Sequence, residues 1–351
     1  MPTIDDVKAV LKQVKYPGYS RDILSFGMVK DIEVDGPSLS LAIQFSTQTD
    51  EVRRQIEEGV RRAVSALPGI TSVNIKIRGQ EAAQAHRGGK RQIPGVRHTI
   101  AVTSGKGGVG KSTISVNLAL ALNQLGHRVG LIDADIHGPN IPIMIGVRER
   151  PAATPDKKVI PVERYGIKLI SIGFFLEEGT PVIWRGPMVT QAIQTFLHGT
   201  IWGELDYMVI DLPPGTGDAQ LTIVQSVPLT GAVVVTTPQD VALLDARKAV
   251  SMFNKVGATI FGIVENMSYY LCPHCGERVE IFSYGGGRET SSALGVPFLG
   301  EIPIDTEIRV GGDRGVPIMV SSPDSTPAKV FKDIASYIVA RTSLLVGLVV
   351  S

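Results

Sequence analysis

The sequence predicts an α/β fold, with a mostly parallel sheet covered by helices on both faces and a small α+β domain in front of it. From about residue 97 onward, short apolar runs alternate with helical stretches, which is typical of βαβ units. A glycine-rich loop separates the first run from a helical stretch, and aspartates follow two later runs. Because ligands gather at the carboxyl ends of strands in open α/β sheets, this arrangement predicts a binding site at that edge.

Residues 1–79 are predicted to form the small α+β domain, because their elements follow a different order. The predicted elements are a helix from Thr3, strands over 29–34 and 39–45, a helix over 50–67 and a strand over 73–77. Residues 80–96 are polar and lack periodicity, which predicts a flexible linker. Residues 97–351 are predicted to form the second domain.

The second domain contains apolar runs that predict the strands of a parallel sheet. The clearest runs cover residues 98–103, 128–132, 167–172, 207–210, 232–235 and 259–264. Apolar residues recur at helical spacing after the glycine-rich loop, and Gly126 closes that predicted helix. A later glycine cluster at 285–288 follows no strand directly, so we interpret it as a flexible lead into a helix over 289–294.

The glycine-rich loop, residues 104–113, reads Ser-Gly-Lys-Gly-Gly-Val-Gly-Lys-Ser-Thr and matches the phosphate-binding pattern G-x-x-x-x-G-K-[ST]. Its glycines let backbone N–H groups converge on phosphate oxygens, where a Cβ would block the approach. We expect Lys111 against the β/γ-phosphates and the Ser112 hydroxyl on Mg²⁺. The pattern needs one lysine, and Lys106 is a second one. The predicted nucleotide-binding residues of the loop are Gly105, Lys106, Gly107, Gly108, Val109, Gly110, Lys111, Ser112 and Thr113.

Aspartates at the ends of two predicted strands supply acidic groups for a metal ion. Asp133 and Asp135 follow one strand, and Asp211 follows another. Asp211 is the candidate to hold Mg²⁺ through water, and Asp133 or Asp135 is the candidate to orient the attacking water. A lone aspartate at a strand end is more often a turn cap, but three of them after a phosphate-binding loop favour function.

The two cysteines of the chain lie three residues apart, as Cys272 and Cys275. Their Pro/Gly-flanked loop favours metal or cluster ligation over a redox dithiol, which usually stands at a helix N-terminus. No feature of the sequence suggests an oxidising compartment, which argues against a disulfide. Tetrahedral zinc or a four-cysteine cluster needs four ligands, so a twofold dimer that shares one site is the economical solution. Sequence chemistry leaves zinc and iron–sulfur both open.

Composition excludes several classes of function. Lys and Arg number 35 against 34 Asp and Glu, so there is no electrostatic argument for nucleic acid binding. No apolar run approaches the roughly twenty residues that a membrane span needs. The acidic start of the chain lacks the layout of a signal peptide, so we expect a cytoplasmic protein.

Three motifs together resemble a known family of ATPases. They are the loop at 106–111, the stretch Asp-Ala-Asp-Ile-His-Gly-Pro-Asn at 133–140 and the stretch Asp-Leu-Pro-Pro-Gly-Thr-Gly-Asp at 211–218. In order and spacing they resemble the deviant Walker A P-loop ATPases, and within those the Mrp/ApbC iron–sulfur carriers. The order of elements in residues 1–79 resembles the MIP18-like (DUF59) domain that often precedes such carriers.

The resemblance implies an ATP-hydrolysing homodimer that holds a [4Fe–4S] cluster on Cys272 and Cys275 of both chains. Such a carrier takes ATP and Mg²⁺ as cofactors, and its partners are cluster assembly scaffolds and apo iron–sulfur proteins. From the balanced charge and the lack of a long apolar run, we expect no nucleic acid or membrane partner. The alternative that stays open is a dimeric P-loop ATPase with structural zinc at these cysteines, acting in protein targeting or positioning.

The resemblance also assigns roles to individual residues. Lys106 would reach the nucleotide of the partner chain and neutralise phosphate charge in trans, as an arginine finger does. It favours Asp135 over Asp133 as the residue that positions the attacking water. The implied magnesium residues are Ser112, Asp133 and Asp211, and the implied purine contacts are Asn266 and Pro303.

Overall fold

The computed structural model describes residues 2–15, 22–24, 28–45, 50–79, 90–136, 138–175 and 186–349. The chain divides into two compact units, residues 1–89 and 90–351. Most of the predicted linker, residues 80–89, lies outside the described residues. The rest of it, 90–96, packs on the second unit, because Ile93 is buried there and the Arg91 N–H donates to the Ser226 carbonyl.

The first unit is a small α+β fold with its own apolar core. Its elements are helices Ile4–Leu11 and Asp50–Ser65 and strands β1 (Val29–Asp35), β2 (Ser38–Phe45) and β3 (Ser72–Gly79). β2 lies in the centre of the sheet, antiparallel to β1 and parallel to β3. Thr3 begins the first helix as its N-cap and accepts from the Asp6 N–H. Val7, Leu41 and Val60 are buried in the core between helices and sheet.

The second unit is built on an eight-stranded sheet. Its strands are β4 (Val96–Ser104), β5 (Val129–Asp133), β6 (Val162–Arg164), β7 (Ile167–Ser171), β8 (Leu205–Asp211), β9 (Gly231–Thr236), β10 (Ile260–Glu265) and β13 (Phe298–Glu301). They are ordered β13-β10-β9-β4-β8-β5-β7-β6, and every pair is parallel except β6 with β7. The predicted mostly parallel sheet is therefore confirmed. A separate two-stranded ribbon joins β11 (Tyr270–Leu271) and β12 (Arg278–Val279).

Helices cover both faces of this sheet. The described helices are Lys111–Gln124, Ile141–Met144, Gly186–His198, Asp218–Ser226, Asp240–Lys255, Gly286–Leu294, Thr306–Arg314, Ile318–Ser321 and Thr326–Val349. Neighbouring residues of β4 show why both faces are apolar, since Ile100 packs in one core and Ala101 in the other. Strands buried on both faces need continuous apolar runs, which is the pattern in the sequence. None of the described helices has the length and apolar character that crossing a membrane requires.

The glycine cluster at 285–288 is a helix start, and its interpretation as a flexible lead is wrong. Gly285 has φ 73° and precedes helix Gly286–Leu294. The Gly287 N–H donates to the fully buried Glu265 carboxylate, and a Cβ at Gly287 would lie 2.7 Å from Glu265 Oε2. Glycine is needed here because a buried carboxylate approaches the first turn of the helix, a contact between β10 and a helix distant in sequence.

Asp206 lies near the N-terminal end of β8, away from the carboxyl ends of the strands, and contacts two arginines. It accepts from the Arg128 main-chain N–H at 2.9 Å and from Arg128 Nη2 at 3.1 Å, and Arg97 Nη1 lies 3.3 Å away. These hydrogen bonds, with Arg128 as the main cause, lower the pKa of Asp206 to about 2. The carboxylate therefore stabilises the start of β8 in its charged form.

Replacing Asp206 by asparagine is expected to lower the free energy of unfolding by about 1–2 kcal/mol at pH 7. Because folding lowers its pKa, the stabilisation is complete above the ordinary value of 3.8 and is lost as pH falls through about 2. Urea unfolding followed by tryptophan fluorescence measures the effect, since both tryptophans lie in residues 90–351.

The control is Asp313→Asn, which alters an ion pair with Arg309 whose side chains are 68% and 67% exposed. It should change the free energy of unfolding by less than about 0.5 kcal/mol. Equal effects of the two variants at pH 7 would contradict the role assigned to Asp206.

Candidate functional site

The glycine-rich loop joins β4 to helix Lys111–Gln124 at the carboxyl edge of the sheet. Gly108 and Gly110 have φ values of 80° and 81°, which side chains rarely adopt. A Cβ at Gly105 would overlap the Asp245 backbone, and one at Gly110 would overlap the Asn266 amide. Glycine at these two positions therefore lets the loop pack closely against its neighbours. Backbone N–H groups of such a loop at a helix N-terminus fit a phosphate.

Lys111 is buried among carboxylates. Its side chain is 6% exposed, and Nζ lies 2.7 Å from Asp211 Oδ2 and 3.5 Å from Asp135 Oδ2. The Ser112 hydroxyl donates to the same Asp211 oxygen at 2.6 Å. The structure therefore brings together the lysine, the serine and two of the aspartates that the sequence predicts.

Ser115 is a site residue that the sequence analysis missed. Its hydroxyl is fully buried and donates to Asp211 Oδ1 at 2.6 Å, so both oxygens of this buried carboxylate are bonded. Residues three apart on a helix share a face, so the position of Ser115 one turn after Ser112 was the available signal. The serine pair holds the Asp211 carboxylate in one orientation.

Asp133 lies beside Asp211, because β5 and β8 pair with these two residues in register. Its oxygens accept from the Ser171 hydroxyl at 2.8 Å and from the N–H groups of Asp135 and Ile141 at 3.2 and 3.3 Å. Burial and the nearby Asp211 carboxylate raise the pKa of Asp133 to about 7. The acceptors of Asp133 are engaged by the protein, and its predicted contact with magnesium stays a prediction.

Asp135 offers an oxygen that the protein does not satisfy. Within the part of the chain that the structure describes, its buried Oδ1 has no hydrogen-bond partner. Burial raises the pKa of Asp135, and the Lys111 ammonium opposes that shift. A buried oxygen without a partner is costly, and Mg²⁺ or a water on Mg²⁺ is a ligand that would satisfy it. Together with Ser112 and Asp211, this oxygen fits a hard cation; the predicted water-positioning role of Asp135 stays a prediction.

Asn266 and Pro303 follow neighbouring strands, since Glu265 of β10 pairs with Glu301 of β13. Both are buried. The Asn266 amide donates to the Val109 carbonyl at 2.9 Å, so this residue contacts the back of the phosphate-binding loop. Their predicted contact with the purine stays a prediction.

Lys106 differs from Lys111 in its surroundings. It is partly exposed, and its main-chain oxygen accepts from the Ser104 hydroxyl at 2.8 Å. No carboxylate of the described residues lies within 4.0 Å of its ammonium. The second lysine of the loop is thus free to contact a group from outside, as its predicted role in trans requires.

The cysteines occupy the tip of the β11–β12 ribbon as two free thiols. The Cys272 N–H donates to the Glu277 carbonyl at 2.9 Å, and the Gly276 N–H donates to the Cys272 carbonyl at 2.8 Å. Gly276 has φ 74°, which closes the turn. Cys272 is partly buried and Cys275 is exposed, so both thiols face a position that an external ligand can reach.

Backbone N–H groups of His274 and Cys275 donate to the Cys272 sulfur and lower the pKa of its thiol. The turn therefore favours the thiolate, the form that binds metal. Among the described residues, no group of three or more His, Cys, Asp or Glu side chains is placed to hold a metal ion. The ribbon thus supplies two thiolate ligands where a tetrahedral centre needs four.

Replacing Ser115 by alanine is expected to weaken Mg²⁺-dependent ADP binding about tenfold, because Asp211 loses a charge-assisted hydrogen bond that orients it. Calorimetric titration with ADP in Mg²⁺ and in EDTA measures the difference. The matched control is Ser343→Ala. The Ser115 hydroxyl lies 3.1 Å from the Lys111 carbonyl, and the Ser343 hydroxyl lies 2.9 Å from the Val339 carbonyl, so each serine is near the carbonyl four residues before it. The same ADP affinity in both variants and in the unaltered protein would show that Ser115 does not position Asp211.

Comparison with known proteins places this geometry in a family. Residues 95–339 match the ParA family, described as NUBPL iron-transfer P-loop NTPase. Residues 4–77 match a family described as iron–sulfur cluster assembly protein. The resemblance predicted from the sequence motifs is confirmed by both matches.

Relatives and a solved structure agree with the family match. An iron–sulfur cluster carrier protein of Synechocystis is 44% identical over 98% of this chain and 99% of its own. One from Aquifex aeolicus is 46% identical over 88% of this chain and 90% of its own. A nucleotide-binding protein from Archaeoglobus fulgidus, solved in complex with ADP, is 41% identical, covers 64% of this chain and 88% of its own, and has a TM-score of 0.57. With a match that spans most of its length, the chain belongs to the NUBPL-type iron-transfer P-loop NTPases of the ParA family.

Proposed function

We propose that this chain is an ATP-dependent iron–sulfur cluster carrier that binds a [4Fe–4S] cluster across a homodimer and transfers it to apo-proteins. The observation that carries the proposal is the pair of thiols at the ribbon tip, which supplies half of a four-ligand site. A twofold axis through the centre would bring a second pair from another copy. Four thiolates are the ligand set of a [4Fe–4S] cluster. The relatives from Synechocystis and Aquifex aeolicus are named iron–sulfur cluster carrier proteins.

The nucleotide half of the proposal follows from the charges around Lys111. Phosphates in the cradle would attract its ammonium away from Asp211, to which it is bonded at 2.7 Å. Asp211 and the Ser112 hydroxyl would then be free to bind Mg²⁺ directly or through water. When bound, Mg²⁺ neutralises negative charge on the phosphates. The Asp135 oxygen that has no partner among the described residues would accept a hydrogen bond from the attacking water and hold it in place.

The dimer half of the proposal follows from Lys106. Its ammonium lies outside the carboxylate cluster that engages Lys111, so it can reach a phosphate of the partner subunit. Such a contact forms only when two nucleotide-bound protomers meet, and it would change the interface at which the cluster is held. The recipients would be apo iron–sulfur proteins, and scaffolds would supply the cluster. A cytoplasmic location belongs to the proposal, since free thiols need a reducing compartment.

Replacing Cys272 or Cys275 by alanine is expected to abolish cluster binding and to leave ADP affinity unchanged. Anaerobic reconstitution with iron and sulfide should load the unaltered protein with about four irons and four sulfides per dimer. His274→Ala is the control, because His274 is an exposed member of the same turn and keeps its main-chain N–H. Full iron content in either cysteine variant would refute shared ligation, and a colourless protein with stoichiometric zinc would favour the zinc alternative in targeting or positioning.

Replacing Lys106 by alanine is expected to lower the rate of ATP hydrolysis at least about a hundredfold, because a charge supplied in trans stabilises the transition state. Its ADP dissociation constant should stay within about threefold, whereas Lys111→Ala should lose ADP binding. Lys158→Ala, whose side chain is 58% exposed, is the control and should behave as the unaltered protein. Hydrolysis by the Lys106 variant at the unaltered rate would refute the trans role.

A further inference from the structure

A short segment, residues 266–271, joins the phosphate-binding loop to the cysteine ribbon within one chain. We call it the connector. It begins at Asn266, whose amide contacts the loop, and it ends next to Cys272. The two candidate sites are therefore linked by a few residues of backbone, in addition to any contact between protomers.

The loop end of the connector contacts a peptide group whose other edge faces the phosphate cradle. Asn266 Nδ2 donates to the Val109 carbonyl at 2.9 Å. In a trans peptide, the carbonyl of Val109 and the N–H of Gly110 belong to one plane and point in opposite directions. A phosphate that engages the Gly110 N–H sets the orientation of this plane, and with it the position of the oxygen that Asn266 contacts.

The contact between Asn266 and the loop leaves little free space. A Cβ on Gly110 would overlap the Asn266 amide. The main-chain N–H of Asn266 donates to the Thr236 carbonyl at 2.8 Å, which fixes the residue at the end of β10. Because the amide is packed against the loop and its backbone is held, rotation of the peptide plane must strain or break the hydrogen bond.

The next residue, Met267, adopts a left-handed backbone conformation with φ 53°. This conformation is disfavoured for residues other than glycine, asparagine and aspartate, so contacts with neighbouring residues must stabilise it at Met267. Ser268 supplies that hold, because its N–H donates to the Ile302 carbonyl at 2.9 Å and its hydroxyl donates to Glu265 at 2.6 Å. Met267 is therefore the point at which the connector can change conformation when Asn266 moves.

The far end of the connector forms β11 of the ribbon, and Tyr269 before it contacts both β12 and the segment that follows β13. The Ile304 N–H donates to the Tyr269 carbonyl at 2.6 Å. Arg278 of β12 stacks 3.9 Å from the centre of the Tyr269 ring and donates to Glu301 at 3.2 Å. Displacement of the connector must therefore shift the ribbon or break these contacts. Cys272 and Cys275 lie at the tip of this ribbon, so a shift of the ribbon changes the surroundings of both thiols.

We propose that Asn266 and Met267 transmit nucleotide occupancy of the loop to the reactivity of Cys272 and Cys275 within a single protomer. Asn266 is a positioning residue that acts through the Val109 carbonyl, and Met267 is the hinge that the movement switches. The inference rests on the proposed function for the role of the cysteines. It adds a route that does not require the dimer interface.

The test measures alkylation of Cys272 and Cys275 by iodoacetamide in cluster-free, reduced protein with and without MgADP, by mass spectrometry. ADP is the probe because it is not hydrolysed during the measurement, and light scattering confirms that samples with and without it have the same mass. In the unaltered protein, ADP should change the alkylation rate by at least about fivefold. In Asn266→Ala, measured at ADP concentrations that saturate the variant, this response should be lost.

Asn123→Ala is the matched control, because it removes another side-chain amide that donates to main-chain carbonyls, at 3.1 Å, at the far end of helix Lys111–Gln124. It should keep the full response. Met267→Gly leaves the Asn266 bond in place but relaxes the hinge, so its response should be reduced. This second variant decides the question if Asn266→Ala fails to fold.

A response that survives in both Asn266→Ala and Met267→Gly would overturn the proposal, as would unaltered protein that shows none. Loss of ADP binding in Asn266→Ala with a full response in Met267→Gly would make Asn266 a nucleotide contact and overturn it too. The proposed function is tested separately. Unaltered protein that responds to ADP but takes up no iron or sulfide would refute the carrier function and leave the link between the sites intact.

Discussion

Two buried carboxylates contact the buried ammonium of Lys111 at the carboxyl edge of the large sheet, and a third lies beside them. Lys111 lies 2.7 Å from Asp211 and 3.5 Å from Asp135, and the neighbouring Asp133 has its pKa raised to about 7. Buried negative charge needs compensation, and here one ammonium, serine hydroxyls and main-chain N–H groups provide it. One oxygen of Asp135 has no hydrogen-bond partner among the described residues, so compensation within that part of the chain is incomplete. The strand ends and the helix N-terminus place this charge beside the phosphate-binding loop.

The parallel sheet explains why the nucleotide site and the cysteine ribbon lie on one path. Parallel strands end at the same edge, so β4, β5, β8 and β10 deliver their following loops to one region. The loop after β10 carries Asn266 to the phosphate cradle and then continues into the ribbon that ends at Cys272. The route proposed between the two sites therefore uses a short stretch of backbone, and the missing ligands would come from a second copy of the chain under the proposed function.

Much of this arrangement was predictable because it depends on local pattern. The sequence alone shows the glycine spacing of the phosphate-binding loop, the apolar runs before Asp133 and Asp211, and the cysteine pair. Ser115 was missed although it lies one helical turn from Ser112, since the motif ends before it. The start of helix Gly286–Leu294 was not predictable, because the Glu265 carboxylate that stabilises it comes from a distant strand.

The sequence by itself determined the class of fold and the family, because these depend on residue types at fixed spacing. Only the tertiary structure decided which partner each polar group finds. It showed that Lys111 forms an ion pair with Asp211. It also showed that the Ser171 hydroxyl donates to Asp133 and that the Asn266 amide donates to the Val109 carbonyl. The physical reason is that burial and hydrogen bonding between distant strands are properties of packing, and no local pattern of residues records them.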